Sequence, residues 1–277
     1  MELLKGNVIR DKIIDEIKKK VESLEAKPSL VVMQIGDDSA SSVYIEQKRK
    51  MALKIGYRFE HLKYDETIRE EEILLKIEEL NSDEEVHAIL IQMPINKKYD
   101  SIKIQNAVLP SKDVDGLSFY NIGALASGES YAIPCTALGV VEILKYYNVN
   151  ISGSNVVIVG RSNLVGRPLS VLLTNLDATV TLCHSRTRNL GEITRKADIL
   201  IVAIGRNRFI KSDMVGNGTV VIDVGINRVD EKLYGDVDFE NVKDKCLAIT
   251  PVPGGVGPMT IAMLAKNVYN LYLQARK

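Results

Sequence analysis

Asn155-Val156-Val157-Ile158-Val159-Gly160-Arg161-Ser162-Asn163-Leu164-Val165-Gly166-Arg167-Pro168 runs from an apolar, β-branched stretch through a glycine-punctuated turn into a helical pattern that continues to Leu176. A dinucleotide's pyrophosphate binds at such a strand–turn–helix junction, because the free N–H groups and the dipole of the helix N-terminus face the anion. The loop is not the common G-x-G-x-x-G, since Ser162 stands at the second glycine position. Taken alone it is also compatible with a tight turn in any α/β protein. The next apolar strand, Ala178–Cys183, ends in His184-Ser185-Arg186-Thr187-Arg188. A cofactor without a 2′-phosphate usually has its ribose held by an acid at this point. Hydroxyls and guanidiniums stand here instead, and they suit a 2′-phosphate that an acid would repel. The strand end therefore favours NADP over NAD, the alternative being a solvated basic loop.

Outward from this turn, Asp198–Ile204 and Thr219–Val224 read as further strands, and residues 136–147 as a helix leading into the unit. Toward the N-terminus, Ile9, Ile13, Ile14, Ile17, Val21 and Leu24 recur at helical spacing. Strands are expected at 29–35, 57–64 and 88–92, with helices at about 39–55 and 70–80 between them. Strands alternating with helices specify a parallel sheet with helices on its faces. The expected architecture is α/β in two domains. An N-terminal α/β substrate domain comprises residues 1–118 with 252–277, and a Rossmann-type dinucleotide-binding domain with a parallel sheet comprises residues 119–251. The active-site cleft is expected between them. The break is placed in the Pro-, Asp-Gly- and Asn-containing stretch 110–128, and a last helix is expected over about 258–273.

Composition limits the function classes. Lys and Arg together number 36, as do Asp and Glu. The zero net charge offers no electrostatic reason to expect nucleic acid or an anionic membrane as partner. Cys135, Cys183 and Cys246 lie far apart, in neither a metal-type spacing nor an even disulfide set, as suits a reducing cytoplasm. The three histidines are scattered, and no metal site is expected. The N-terminus lacks a signal-type apolar core, and no apolar run is long enough to span a bilayer.

Tyr44 and Lys48 are four residues apart on an expected helix and share a face that Met51, Ala52 and Ile55 continue. A lysine in line with an apolar stripe has a reason to lose its proton and take part in acid–base chemistry. A lysine snorkelling from the edge of the stripe is the competing reading. Gln92 and Pro94 follow a strand end, and Lys112-Asp113-Val114-Asp115-Gly116 comes shortly after. Asp-Gly is also a common turn pair, so that segment by itself says little.

Together these motifs resemble, over nearly the whole chain and in the same order, the bifunctional methylenetetrahydrofolate dehydrogenase/cyclohydrolase family. The matching segments are Tyr44-Ile45-Glu46-Gln47-Lys48, Ile91-Gln92-Met93-Pro94, Lys112–Gly116 with Asn121 and Gly123, Gly160–Pro168, Asp223-Val224-Gly225-Ile226-Asn227 and Thr250–Thr260. The resemblance implies an enzyme of one-carbon metabolism. It would oxidise 5,10-methylenetetrahydrofolate with NADP, then hydrolyse the methenyl product to 10-formyltetrahydrofolate. It implies Lys48 as catalytic lysine with Tyr44 and Gln92 beside it, Tyr44 stacking on the folate, and Asp115 holding the pterin N–H groups. Pro253, Gly254 and Gly255 would line the substrate side. Gly160, Arg161, Ser162, Val165, Gly166, Ser185, Arg186 and Ile226 would hold NADP. It further implies a homodimer, and a final helix packed on the first domain.

The sequence departs from the family pattern in two places. Ala137 follows Pro134-Cys135-Thr136 where the family commonly has proline, and Gly205-Arg206-Asn207 replaces its Gly-x-Pro. Three other readings compete: a different two-domain NADP dehydrogenase, a dehydrogenase without cyclohydrolase activity, and a non-catalytic NADP-sensing module. The first and last would not need Tyr44, Lys48 and Asp115 together, and the second would lack Lys48.

Overall fold

The computed structural model describes residues 1–276. The chain forms two units, Met1–Asp11 with Pro134–Thr260, and Lys12–Ile133 with the chain from Ile261 onward. The opening strand β1 (Glu2–Leu3) lies in the former, and most of α1 (Gly6–Glu22) in the latter.

In the unit built on residues 12–133, β2 (Ser29–Ile35), α2 (Ser39–Ile55), β3 (Arg58–Tyr64), α3 (Glu70–Ser82) and β4 (Ala88–Ile91) alternate along the chain. The three strands form a parallel sheet in the order β3-β2-β4. All seven residues of β2 are buried, which is why it reads as a continuous apolar run rather than an alternating one. Ile73, Ile77 and Leu80 occupy one face of α3 and pack on Val31, Met33, Ile35, Ile89 and Ile91. Each such buried aliphatic side chain contributes on the order of 1.5–3 kcal/mol. Asp38 caps α2 by accepting from Ser41 N, and Gly56, at φ 93°, ends it in the left-handed region that glycine tolerates.

The compact unit runs past the expected break at residues 118–119, as far as Ile133. Residues 110–131 belong to this unit because Asn121, fully buried in the short helix Phe119–Ala124, ties them together. Its Nδ2 donates to Pro110 O and Asp113 Oδ2, and its Oδ1 accepts from Tyr131 N. The last helix, α10 (Val256–Gln274), packs on this unit from Ile261 onward, as the resemblance implies. Its Ala265 carbonyl accepts from Tyr57 Oη, and Tyr272 Oη donates to Ala26 O.

The other unit carries a six-stranded sheet in which every pairing is parallel. After a helix at Cys135–Tyr146, its order is β1-β11-β8-β7-β5-β6, with β5 (Asn155–Val159), β6 (Thr179–Cys183), β7 (Ile199–Val202), β8 (Thr219–Asp223) and β11 (Cys246–Ile249). A hairpin, β9 (Asn227–Val229) and β10 (Lys232–Tyr234), follows β8. Residues 1–11 group with this unit, because Glu2 and Leu3 pair with Ala248 and Ile249 at the edge of its sheet. Residues 252–260 also fall in this unit rather than in the substrate domain. Their turn is hydrogen-bonded to the chain's start, as Gly254 O accepts from Gly6 N and Asn7 N. Among the described residues no helix is long and apolar enough to cross a membrane, and no group of His, Cys, Asp and Glu could hold a metal ion. All three cysteines are buried, and none is in a disulfide.

Candidate functional site

Ser41, Ile45, Ala52 and Ile55 form the buried stripe of α2, and Lys48, half-buried, lies in line with it. Its Nζ donates to Gln92 Oε1 at 2.8 Å. Gln92 is buried just beyond β4, its backbone N bonded to Met33 O and its Nε2 to Met93 O, so the carbonyl that receives Lys48 is fixed in direction. An amide oxygen accepts from an amine whether or not that amine is protonated, so this bond orients the nitrogen without fixing its charge. Tyr44, one turn earlier on α2, exposes its ring, as a stacking platform requires.

The two aspartates of Lys112–Gly116 divide their tasks. Asp113 is buried and accepts from Gly116 N, Ser118 N and Asn121 Nδ2. Lys112 Nζ donates to the carbonyls of Leu80 and Asp83. Ile89 N bonds to Lys112 O and Val114 N to Ile89 O, so the segment runs as an extra rung beside β4. Asn267 Nδ2 donates to Val114 O and Ile133 O. Asp115, half-buried, sits on a turn fixed on both sides of it. Gly116 has no substitute there, with φ at 65° and a Cβ that would meet Ala132 O at 2.5 Å.

In the nucleotide unit, Gly160 ends β5 with φ at 124°, and an added Cβ would lie 2.2 Å from Ala203 O. Gly166 opens the helix α7 (Gly166–Thr174), and a Cβ there would lie 1.8 Å from Gly160 O. The two glycines let the strand end and the helix start close on each other, which leaves the turn's backbone accessible to a pyrophosphate. Ser162 braces the turn, its Oγ accepting from Val165 N and its O from Arg167 N. Pro168, in the first turn of α7, removes a donor that has no helical partner. At the neighbouring strand end, Gly160 N bonds to Cys183 O, and His184 and Thr187 bond each other's backbone groups. Arg161, Ser185 and Arg186 are left exposed beyond two adjacent strand ends. The residues present fit a dinucleotide with a 2′-phosphate.

Two carboxylates lie at the ends of β7 and β8: Asp223, which the sequence reading quoted within a matching segment without a role, and Asp236, which it did not single out. Asp223 accepts from Gly225 N, Asp236 N and Val237 N. Burial pushes its carboxyl up to about 7, against the pull of the Val237 and Asp236 N–H bonds. Asp236, fully buried, accepts from Ile204 N, Gly205 N, Arg206 N and Asn227 Nδ2. The Gly-Asp-Val run at 235–237 offered no spacing that would mark it. Thr250 Oγ accepts from Asp223 N, which ties β8 to the start of the Pro251–Gly255 turn. Gly255 lies against Gly6, whose Cβ would meet Gly255 O at 1.9 Å. Ile226 is exposed, 3.4 Å from where a Cβ on Gly257 would lie. Arg206 and Arg208, at the second departure from the family pattern, lie over the rings of Phe209 and Tyr234.

A dinucleotide-binding sheet joined to a small α/β unit that carries a lysine–amide pair defines a two-domain dehydrogenase. The family model "Tetrahydrofolate dehydrogenase/cyclohydrolase, catalytic domain" matches residues 4–115, and its "NAD(P)-binding domain" counterpart matches residues 134–276. The chain belongs to the tetrahydrofolate dehydrogenase/cyclohydrolase family. Among its relatives, the bifunctional protein FolD of Campylobacter hominis is 48% identical over 271 residues, covering 96% of this chain and 95% of that one. That of Bacillus pumilus is 50% identical over 257 residues, 91% of each. The crystal structure of the FolD dehydrogenase/cyclohydrolase from Campylobacter jejuni superposes with a TM-score of 0.97 at 42% identity, covering 99% of both chains. That of Trypanosoma brucei, complexed with NADP and an inhibitor, gives 0.94 at 32%, covering 99% of this chain and 98% of that one.

Proposed function

We propose that the chain oxidises 5,10-methylenetetrahydrofolate with NADP and hydrolyses the resulting 5,10-methenyltetrahydrofolate to 10-formyltetrahydrofolate. The observation that carries this reading is the Lys48 Nζ bond to Gln92 Oε1, in the same unit as the braced Asp115 turn. NADP, when bound, supplies a two-electron acceptor for the hydride of the folate's bridging carbon. Gly160, Ser162, Val165 and Gly166 would form the turn that cradles its pyrophosphate, Arg161, Ser185 and Arg186 would hold the 2′-phosphate, and Ile226 would offer an apolar contact. Tyr44 stacks on the pterin, Asp115 accepts its amino and amide N–H groups, and Pro253, Gly254 and Gly255 line the substrate's surroundings. Hydride loss needs positioning more than proton transfer, because the substrate's own nitrogen lone pair drives it. Hydrolysis needs water activated beside a cation. Lys48, directed by Gln92, orients that water or takes its proton, and the cationic substrate disfavours a charged amine next to it. We take the protein to act in the cytoplasm as a homodimer, in keeping with three buried cysteines outside any disulfide and with the family it resembles.

The test is a single incubation of the protein with methylenetetrahydrofolate and NADP, following NADPH, methenyl and formyl products. Formation of all three supports the reading. NADPH without enzyme-accelerated formyl product leaves a dehydrogenase alone, and neither product leaves an NADP-binding module.

NADP is preferred over NAD on this reading. A hydrogen bond to a charged group is worth about 1.5–3 kcal/mol, so Arg161→Ala narrows the preference roughly ten- to a hundredfold. Equal kcat/KM of the parent protein with the two cofactors would sink the assignment. Asp115→Asn replaces one acceptor with a donor facing the pterin edge. It raises KM for folate substrates by roughly ten- to a hundredfold in both reactions and leaves NADP binding intact. Unchanged folate affinity would make Asp115 a turn residue only.

A further inference from the structure

We infer that Asp236 is a positioning residue for the cofactor, setting the backbone of residues 203–206 against the glycine turn that cradles the dinucleotide; this rests on the proposed NADP site. Three consecutive backbone N–H groups, of Ile204, Gly205 and Arg206, converge on its carboxylate at 2.7, 2.9 and 2.7 Å. Those residues follow directly on β7, the strand beside β5. Ala203 N bonds to Val159 O, and the space where a Cβ on Gly160 would lie is taken by Ala203 O and Ile204 Cγ2. The orientation of the β7 end thus decides where Gly160 can sit, and Asp236 decides the orientation of the β7 end. Asn227 Nδ2 adds a fourth donor at 3.0 Å, which fastens the segment after β8, with exposed Ile226, to the same carboxylate.

Asp236 is itself held. Its backbone N donates to Asp223 Oδ1, so one buried carboxylate fixes the residue that carries the other. The fit leaves no slack. A Cβ on Gly225 would lie 2.1 Å from Asp236 Cγ, and one on Gly235 would lie 1.8 Å from Asp223 Oδ2. A sheet edge or loop in need of capping would take one or two such bonds. Four donors from two segments on one fully buried carboxylate, beside the cofactor turn, make a template for that turn. Buried hydrogen bonds to a charged acceptor are the strong ones, and preorganised backbone lowers the ordering cost of binding.

Asp236→Asn keeps the shape and turns one acceptor oxygen into a donor that opposes the converging N–H groups. We expect KM for NADP to rise about tenfold or more. Dehydrogenase kcat at saturating NADP and hydrolysis of methenyltetrahydrofolate, assayed without cofactor, stay near the parent's. An unchanged KM for NADP, or kcat and hydrolysis falling together at unchanged KM, overturns the role. Should Asp236→Asn fail to fold, Asn227→Ala removes the fourth donor from a half-buried position and is judged by the same split, with a smaller rise in KM. A parent protein without NADP-dependent dehydrogenase activity would defeat the proposed function instead, and the parent is therefore measured first.

Discussion

Lys48→Met cuts hydrolysis of methenyltetrahydrofolate by roughly 10²–10⁴-fold, the range that general acid–base catalysis contributes. Methionine keeps the length and apolar stem of the side chain, so the buried stripe of α2 is preserved and only the amine bonded to Gln92 is lost. Dehydrogenase activity also falls, because Gln92 loses its partner and the substrate's neighbours shift. The informative quantity is therefore the ratio of the two reactions, each started from its own substrate. A variant that hydrolyses methenyltetrahydrofolate at the parent rate above the spontaneous background would return Lys48 to the role of a snorkelling lysine. Gln92 could then no longer be regarded as its director.

The second large effect lies at the other unit. Gly166→Ala places a methyl group 1.8 Å from Gly160 O and 2.7 Å from Gly160 C, both backbone atoms of the turn. No rotamer change relieves that contact, so the turn or the start of α7 must move. Overpacking of this kind costs about 1–3 kcal/mol, and here the displaced atoms are those proposed to meet the pyrophosphate. Dehydrogenase kcat/KM with NADP falls by roughly ten- to a hundredfold or more. Cyclohydrolase activity, which needs no cofactor, is largely retained. Parent-like NADP kinetics in this variant would remove the Gly160–Gly166 turn from the cofactor site.

The parts of the fold legible in sequence were those that bury a continuous surface. β2 and β5 are apolar runs covered on both faces, and α2 and α3 carry buried stripes at helical spacing. What escaped was short or lacked its usual marker. β11 has four residues and β1 has two. The β9–β10 hairpin turns through Asp230 and Glu231, both at positive φ, without the glycine that normally announces such a turn. In the candidate site, Lys48 and Gln92 could be named because a helix face and a strand end placed them. The division of labour between Asp113 and Asp115 could not be read, since adjacent-but-one aspartates look alike until their donors are known. Asp223 and Asp236 were invisible as a pair for a similar reason. Thirteen positions apart, they meet only because the hairpin between them doubles back.

The pairing of β1 with β11 bears on what counts as a domain. As a covalent segment the nucleotide unit is not self-contained. A polypeptide begun at Pro134 would carry the whole glycine turn, yet would leave β11 as an open sheet edge and Gly254 O without the Gly6 and Asn7 donors. Exposed parallel edges recruit foreign strands, so such a fragment would tend to self-associate. Residues at the start of the sequence thus close a sheet whose remaining strands begin some 150 positions later, and the molecule's modularity is spatial rather than sequential.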